Sequence, residues 1–157
     1  MEKLVIEGGR PLQGKIRVHG SKNAALPILA ASIMAQGKHV ISNVPNLLDI
    51  DVMLSILSAL GCRTERHNEH VVIDTSHIKT SHIPEDLMGQ MRSSIFLMGP
   101  LLGRFGHVTV TQPGGCAIGE RKIDLHLRGL EALGADIRID GGTIHCSAKR
   151  LRGADIL

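Results

Sequence analysis

Residues 111–121, Thr-Gln-Pro-Gly-Gly-Cys-Ala-Ile-Gly-Glu-Arg, hold the most chemically promising stretch of the chain. Pro113 followed by Gly114 and Gly115 makes a turn with few steric limits, and Gly119 supplies a second hinge three residues after Cys116. A thiol on such a segment is expected to be exposed and movable, and the Arg121 cation favours its reactive thiolate. The other two cysteines differ. Cys62 follows a helix-ending glycine and Cys146 alternates within a strand, so both read as buried and unreactive.

Lys22 follows Gly20-Ser21 directly before an apolar helix. Free N–H groups at a helix start favour an anion, and a lysine adds a full charge. The spacing is not that of the GxxxxGK[ST] phosphate loop, so no nucleoside triphosphate is implied, and a solvated lysine is the plain alternative. Arg92 opens a second apolar helix at the matching place; it reads as an anion contact or as an exposed salt-bridging residue. Asp124, three residues after Arg121, reads as the cap of the helix that follows, a role compatible with touching a ligand. Nine histidines invite a metal reading, above all His67-Asn68-Glu69-His70, but that segment is a hairpin tip and has no second pair at ligand spacing. No metal site is expected, and no Ser-His-Asp or paired-carboxylate arrangement stands out.

The elements that must position these residues follow from periodicity. Residues 3–7 and 15–19 are short strand-like runs separated by Gly8-Gly9, Pro11 and Gly14. Residues 24–34 read as a buried helix with Pro27 tolerated in its first turn, and 38–44 as a strand. Residues 49–60 place apolar side chains at helical spacing, with Gly61 at the C-terminus. Residues 63–66 and 71–74 form a hairpin. The order then recurs: helix 91–102, strand 107–111, helix 123–133 closed by Gly134, and strands 136–140 and 143–147 around Gly141-Gly142. Residues 57–61 match 130–134 at an offset of 73, and 37–40 match 106–109 at 69. The reading is therefore an α/β chain with two units of about 70 residues, the second carrying about four extra residues between its strand and second helix. Neither unit can bury both of its helical faces alone, and a third would close the arrangement better.

Composition bounds the function. The chain has 157 residues, 43% hydrophobic, with two Phe and no Trp or Tyr. That length suits one domain with an aliphatic core. The lack of aromatic faces disfavours single-stranded nucleic acid and aromatic-anchored peptides as partners. A net charge of +3 is too mild for a nucleic-acid footprint and suits small anions held by a few placed cations. An odd number of cysteines, no secretory h-region in MEKLVIEGGRPLQGKI and no apolar run of membrane-spanning length point to a cytoplasmic protein with no membrane partner.

GSKNAALP near the N-terminus, MRSS before the second unit's helix, and QPGGCAIGERKIDLHLRGLEALGA after its strand together resemble the bacterial UDP-N-acetylglucosamine 1-carboxyvinyltransferases. The resemblance runs through essentially the whole chain. It implies transfer of enolpyruvate from phosphoenolpyruvate to the 3-hydroxyl of UDP-N-acetylglucosamine with loss of phosphate, the first committed step of peptidoglycan synthesis. No cofactor or metal is implied. The implied fold is two lobes, each an inside-out α/β barrel of three βαβαββ units. On that template residues 1–20 are strands of the second lobe. Residues 21–157 form an incomplete first lobe, with units at about 21–85 and 86–150. A third unit and most of the second lobe are expected to be missing, with activity of the 157 residues alone doubtful on that account.

By matching position, the resemblance makes Lys22 the contact to the phosphate or carboxylate of phosphoenolpyruvate, with Asn23 beside it at the substrate hydroxyl. Arg92 would contact the UDP-sugar, and Arg121, Lys122, Ile123, Asp124 and Leu125 would line its site. Cys116 would protonate the enolpyruvyl methylene, form a covalent adduct with phosphoenolpyruvate and be alkylated by fosfomycin. Family members often have proline where this chain has Lys122, which loosens the loop at that point. The sibling 5-enolpyruvylshikimate-3-phosphate synthases share fold and chemistry, but Cys116 between glycines and Asn23 after the lysine favour the UDP-sugar enzymes. A non-catalytic fragment is the third reading.

Overall fold

In the computed structural model, residues 3–111, 113 and 122–156 are described. Two three-stranded antiparallel sheets carry five helices and two 3-10 turns. Helix α1 (Lys22–Ala31) runs on into a 3-10 turn (Ser32–Met34), followed by β1 (Lys38–Ile41), α2 (Leu48–Leu60), β2 (Arg63–His67) and β3 (His70–Asp74). A short α3 (Glu85–Met88) and a 3-10 segment (Arg92–Leu97) lead into α4 (Met98–Phe105). Then come β4 (His107–Thr111), α5 (Asp124–Ala132), β5 (Asp136–Asp140) and β6 (Thr143–Ser147).

Each sheet puts the second strand of its hairpin in the middle, in the orders β1-β3-β2 and β4-β6-β5. Turn chemistry sets the two registers. Asn68 takes a φ of 54°, letting His67 pair with His70, while Gly141 and Gly142 take φ of 54° and 85°, pairing Asp140 with Thr143. The second sheet also carries a parallel bridge from His82 to Thr109.

One face of each sheet is apolar, and both close on a single core with the helices. Val71 and Ile73 of β3, Val108 and Val110 of β4, and Ile144 and Cys146 of β6 are buried. Helix α2 is the central element: Ile50, Val52, Met53, Leu54, Ile56, Leu57 and Leu60 are all buried, more than the single stripe its 3 and 4 spacing requires. Gly61 ends it at φ 106°, left-handed, at the C-cap position the sequence predicts.

Four details depart from the sequence reading. Residues 3–19 form no strand, and Leu4, Val5, Ile6, Ile16 and Val18 are all more than 80% exposed. Alternation yields a strand only where a sheet edge meets it, and none does among the described residues. Helix α1 starts at Lys22, which makes Pro27 its sixth residue rather than part of its first turn. The ring cannot donate to the Asn23 carbonyl, and its exposed position makes the lost bond tolerable. The single helix expected over 91–102 is split at Leu97/Met98, because Pro100 fits an α-helix only within its first turn and α4 restarts to place it there. Finally, Ile123 rather than Asp124 is the N-cap of α5, and no side chain caps that helix; Asp124 is an acidic residue of the first turn, where it meets the positive helix end.

Candidate anion cleft

The N-terminus of α1 is held in place by a close approach of backbone. A Cβ at Gly20 would overlap the Asn43 carbonyl oxygen, so only glycine lets the chain pass there before Ser21 opens the helix. The Ser21 carbonyl then accepts from Ala24 and Ala25 N–H at 3.2 and 2.9 Å, which sets Lys22 and Asn23 on the first turn. Across from them, buried Ser94 donates to the Met91 carbonyl at 2.6 Å and lies 3.1 Å from the Met88 carbonyl, fixing the segment that carries Arg92.

These segments and the start of α5 enclose a cleft of about 480 Å³. Lys22, Asn23, Arg92, Lys122 and Ile123 all line it, although they are spread over 100 residues of chain. Asp124 and Leu125 do not line it, and Leu125 is 73% exposed. Cys116 and Arg121 lie outside the described residues. The sequence reading missed Asp49, Phe96 and His126, which also line the cleft.

Lys22 Nζ is 2.6 Å from Asp49 Oδ2, and both side chains are partly exposed. Arg92 Nη2 donates to the Lys122 carbonyl at 3.2 Å, which ties the chain just before α5 to the opposite wall. Lys22, Arg92 and Lys122 stand against Asp49, so the described lining has an excess of positive charge. The helix starts of α1 and α5 add to it. His126 is partly buried, and burial holds its imidazole below the usual pKa, so it is neutral at pH 7. Its Nε2 is shielded from solvent and has no hydrogen-bond partner among the described residues. Phe96, 39% exposed, supplies an aromatic surface beside these polar groups. The arrangement suits a ligand that is anionic at one end and planar or apolar at another.

The two described cysteines behave as the sequence expects. Cys62 and Cys146 are buried, and burial pushes both thiols up to about 11, so neither is a thiolate at neutral pH. Among the described residues no group of three or more His, Cys, Asp or Glu side chains could hold a metal ion. No described helix is long and apolar enough to cross a membrane.

Comparison with known proteins shows the family. A relative from Cellvibrio japonicus described as UDP-N-acetylglucosamine 1-carboxyvinyltransferase is 52% identical over 159 residues, covering 100% of this chain and 38% of its own length. One of the same description from Geobacter metallireducens is 49% identical over 99% of this chain and 37% of its own. The chain thus spans little more than a third of these curated relatives. Among solved structures, the enolpyruvyl transferase NikO from Streptomyces tendae superposes with a TM-score of 0.76 at 24% identity, over 92% of this chain and 32% of that one. EPSP synthase from Acinetobacter baumannii gives 0.65 at 22% identity, over 89% of this chain and 33% of that one. These two likenesses show a shared fold. The family model of EPSP synthase (3-phosphoshikimate 1-carboxyvinyltransferase) matches residues 6–156, and the chain belongs to that family.

Proposed function

We propose that this chain supplies the phosphoenolpyruvate-binding wall and the thiol loop of a UDP-N-acetylglucosamine 1-carboxyvinyltransferase. The observation that carries the reading is the convergence of Lys22, Asn23, Arg92 and Lys122 on one cleft with a positive excess. Lys22 takes the phosphate or carboxylate of phosphoenolpyruvate, and Asn23 stands at the sugar hydroxyl that attacks C2 of the enolpyruvyl group. Positive charge develops at C2 as the methylene is protonated. Cys116 is the acid for that proton, and Arg121 and Lys22 hold the anionic groups in place. Arg92, Arg121, Lys122 and Ile123 form the UDP-sugar side, with Asp124 and Leu125 beyond the cleft lining, where a longer ligand would reach them. The tetrahedral adduct then loses phosphate together with a proton from the new methyl group, which restores the double bond of the transferred enolpyruvyl group, and the proton of the attacking hydroxyl leaves with the phosphate.

The same reading assigns the two sheets to βαβαββ units of an inside-out barrel. It makes residues 1–20 strands that pair in a second lobe. Closure of such a lobe over the cleft would exclude water from the reacting groups. It also makes the protein cytoplasmic, where both substrates are found.

The test joins the 157 residues to the remainder of the Cellvibrio japonicus relative and follows phosphate release. Release that requires both phosphoenolpyruvate and UDP-N-acetylglucosamine is expected, with none from the 157 residues alone. Fosfomycin should add once, on Cys116, and not at all in Cys116→Ser. A folded fusion that releases phosphate only with shikimate 3-phosphate, or that is alkylated on Cys62 or Cys146, would refute the reading.

A further inference from the structure

The role proposed for Lys22 leaves Asp49 unexplained. Its carboxylate is in contact with the Lys22 ammonium, one of the cations that an anionic substrate would be expected to seek, on the wall of the same cleft. Asp49 lies in the first turn of α2, where a carboxylate already meets the positive helix end, and Asp51 in that same turn pairs elsewhere, with Arg66 at 2.9 Å. Lys22 is the first residue of α1, the helix end where a cation is least favoured. A neighbouring anion offsets that cost.

We propose that Asp49 is an internal counter-ion of Lys22 that weakens anion binding at the cleft, so that only a ligand that also reaches Arg92 and Lys122 is held. This rests on the reading of Lys22 as an anion contact. A monoanion such as acetate or chloride must compete with a carboxylate of equal charge that is already in place and gives up no translational freedom to bind. A phosphate dianion brings twice the charge and more acceptor oxygens. It can take the two ammonium hydrogens that Asp49 does not use, and the Arg92 and Lys122 cations, before or instead of displacing the carboxylate. Asp49 thus weakens all anion binding at Lys22, and the ligands still held are those with further contacts to the other two cations.

The experiment measures binding of inorganic phosphate and of acetate to the 157-residue chain by calorimetry at pH 8 and low ionic strength, with folding of each variant checked by circular dichroism. Asp49→Asn should bind phosphate about tenfold more tightly, the size of removing one unit charge about 5 Å from the ligand in a partly hydrated site. Acetate should bind Asp49→Asn measurably and compete there with phosphate, which it fails to do in the unaltered chain. Asp51→Asn removes the same charge from the same helix turn and should leave phosphate affinity within about twofold. Asp49→Ser replaces the asparagine variant if that one does not fold. Phosphate affinity unchanged or weakened at position 49 would overturn the proposal, as would an equal gain in Asp51→Asn. Phosphate affinity that is undetectable, or indifferent to Lys22→Gln, would instead refute Lys22 as an anion contact, and this inference would fall with it.

Discussion

Arg104 offers the sharpest test of how the two halves of the chain are joined. It lies in the last turn of α4, half-buried, and its guanidinium reaches across to the first half. Nη1 donates to the Ile33 carbonyl at 2.8 Å and Nη2 to the Thr75 carbonyl at 3.0 Å, while the group also stacks 5.2 Å from the Phe105 ring centroid. Thr75 is tied in turn to Ala35 through its hydroxyl at 2.7 Å, so the Arg104 side chain fastens two joined segments of the first half at once. Arg104→Met keeps the aliphatic stem and removes both bonds. Hydrogen bonds from charged donors contribute about 1.5–3 kcal/mol each, and with half-exposure placing each at the low end the loss should be about 3 kcal/mol. At this chain length that lowers the melting temperature by roughly 6–12 °C. Arg104→Lys can reach one carbonyl and should recover about half of the loss. Urea unfolding followed by circular dichroism measures both. A methionine variant within about 0.5 kcal/mol of the parent would refute the claim that this guanidinium fastens the halves.

Two further outcomes follow from backbone and burial. Gly20→Ala forces a methyl group against the Asn43 carbonyl, so it should cost about 1–3 kcal/mol and shift the amide resonances of Lys22 and Asn23; parental stability with unmoved resonances would contradict the close approach. Cys62 and Cys146 stay protonated in the folded chain up to about 11 while an unfolded thiol ionises near 9, so their contribution is whole below pH 9 and is lost as pH rises towards 11. Each should account for about 1 kcal/mol of destabilisation at pH 10. Comparing urea unfolding at pH 7.5 and 10 for the parent and for Cys62→Val/Cys146→Val isolates this, and equal alkaline losses in both would refute it.

What could be read from the sequence was what local chemistry determines. β4, β5 and β6 begin and end where alternation and turn residues put them, since Gly141-Gly142 admits few hairpins other than the one observed. Gly61, Gly106 and Gly134 mark chain reversals for the same local reason. Prolines were read less well, because Pro27 and Pro100 act through hydrogen bonds to residues whose conformation is not itself local. The alternation at 3–7 and 15–19 is a property of the chain, whereas a strand is a property of a pair, and those residues meet no strand partner among the described residues. At the cleft, Lys22 and Arg92 were legible because each is a cation opening an otherwise apolar helix. Asp49 was not, since an acid in a first turn is what most helices carry, and nothing along the chain says that this one faces a lysine 27 residues away. His126 was hidden for a similar reason: its loss of solvent and of partners depends on packing around α5.

The cleft is assembled where the fold leaves polar groups that a core could not hold. Three segments separated by tens of residues end or begin at one place: the start of α1, the 3-10 segment after Met91 and the approach to α5. Helix and 3-10 starts carry unpaired N–H groups, so a site built from them attracts anions before any side chain is added. Lys22, Arg92 and Lys122 then add positive charge, and Asp49 and the Lys122 carbonyl offset part of it. A site tuned only for stability would carry fewer cations at these helix starts. That this one keeps three, answers them with a single half-exposed carboxylate, and leaves a neutral histidine without a partner among the described residues is the physical argument that the cleft is organised for a ligand with more negative charge than the protein itself supplies.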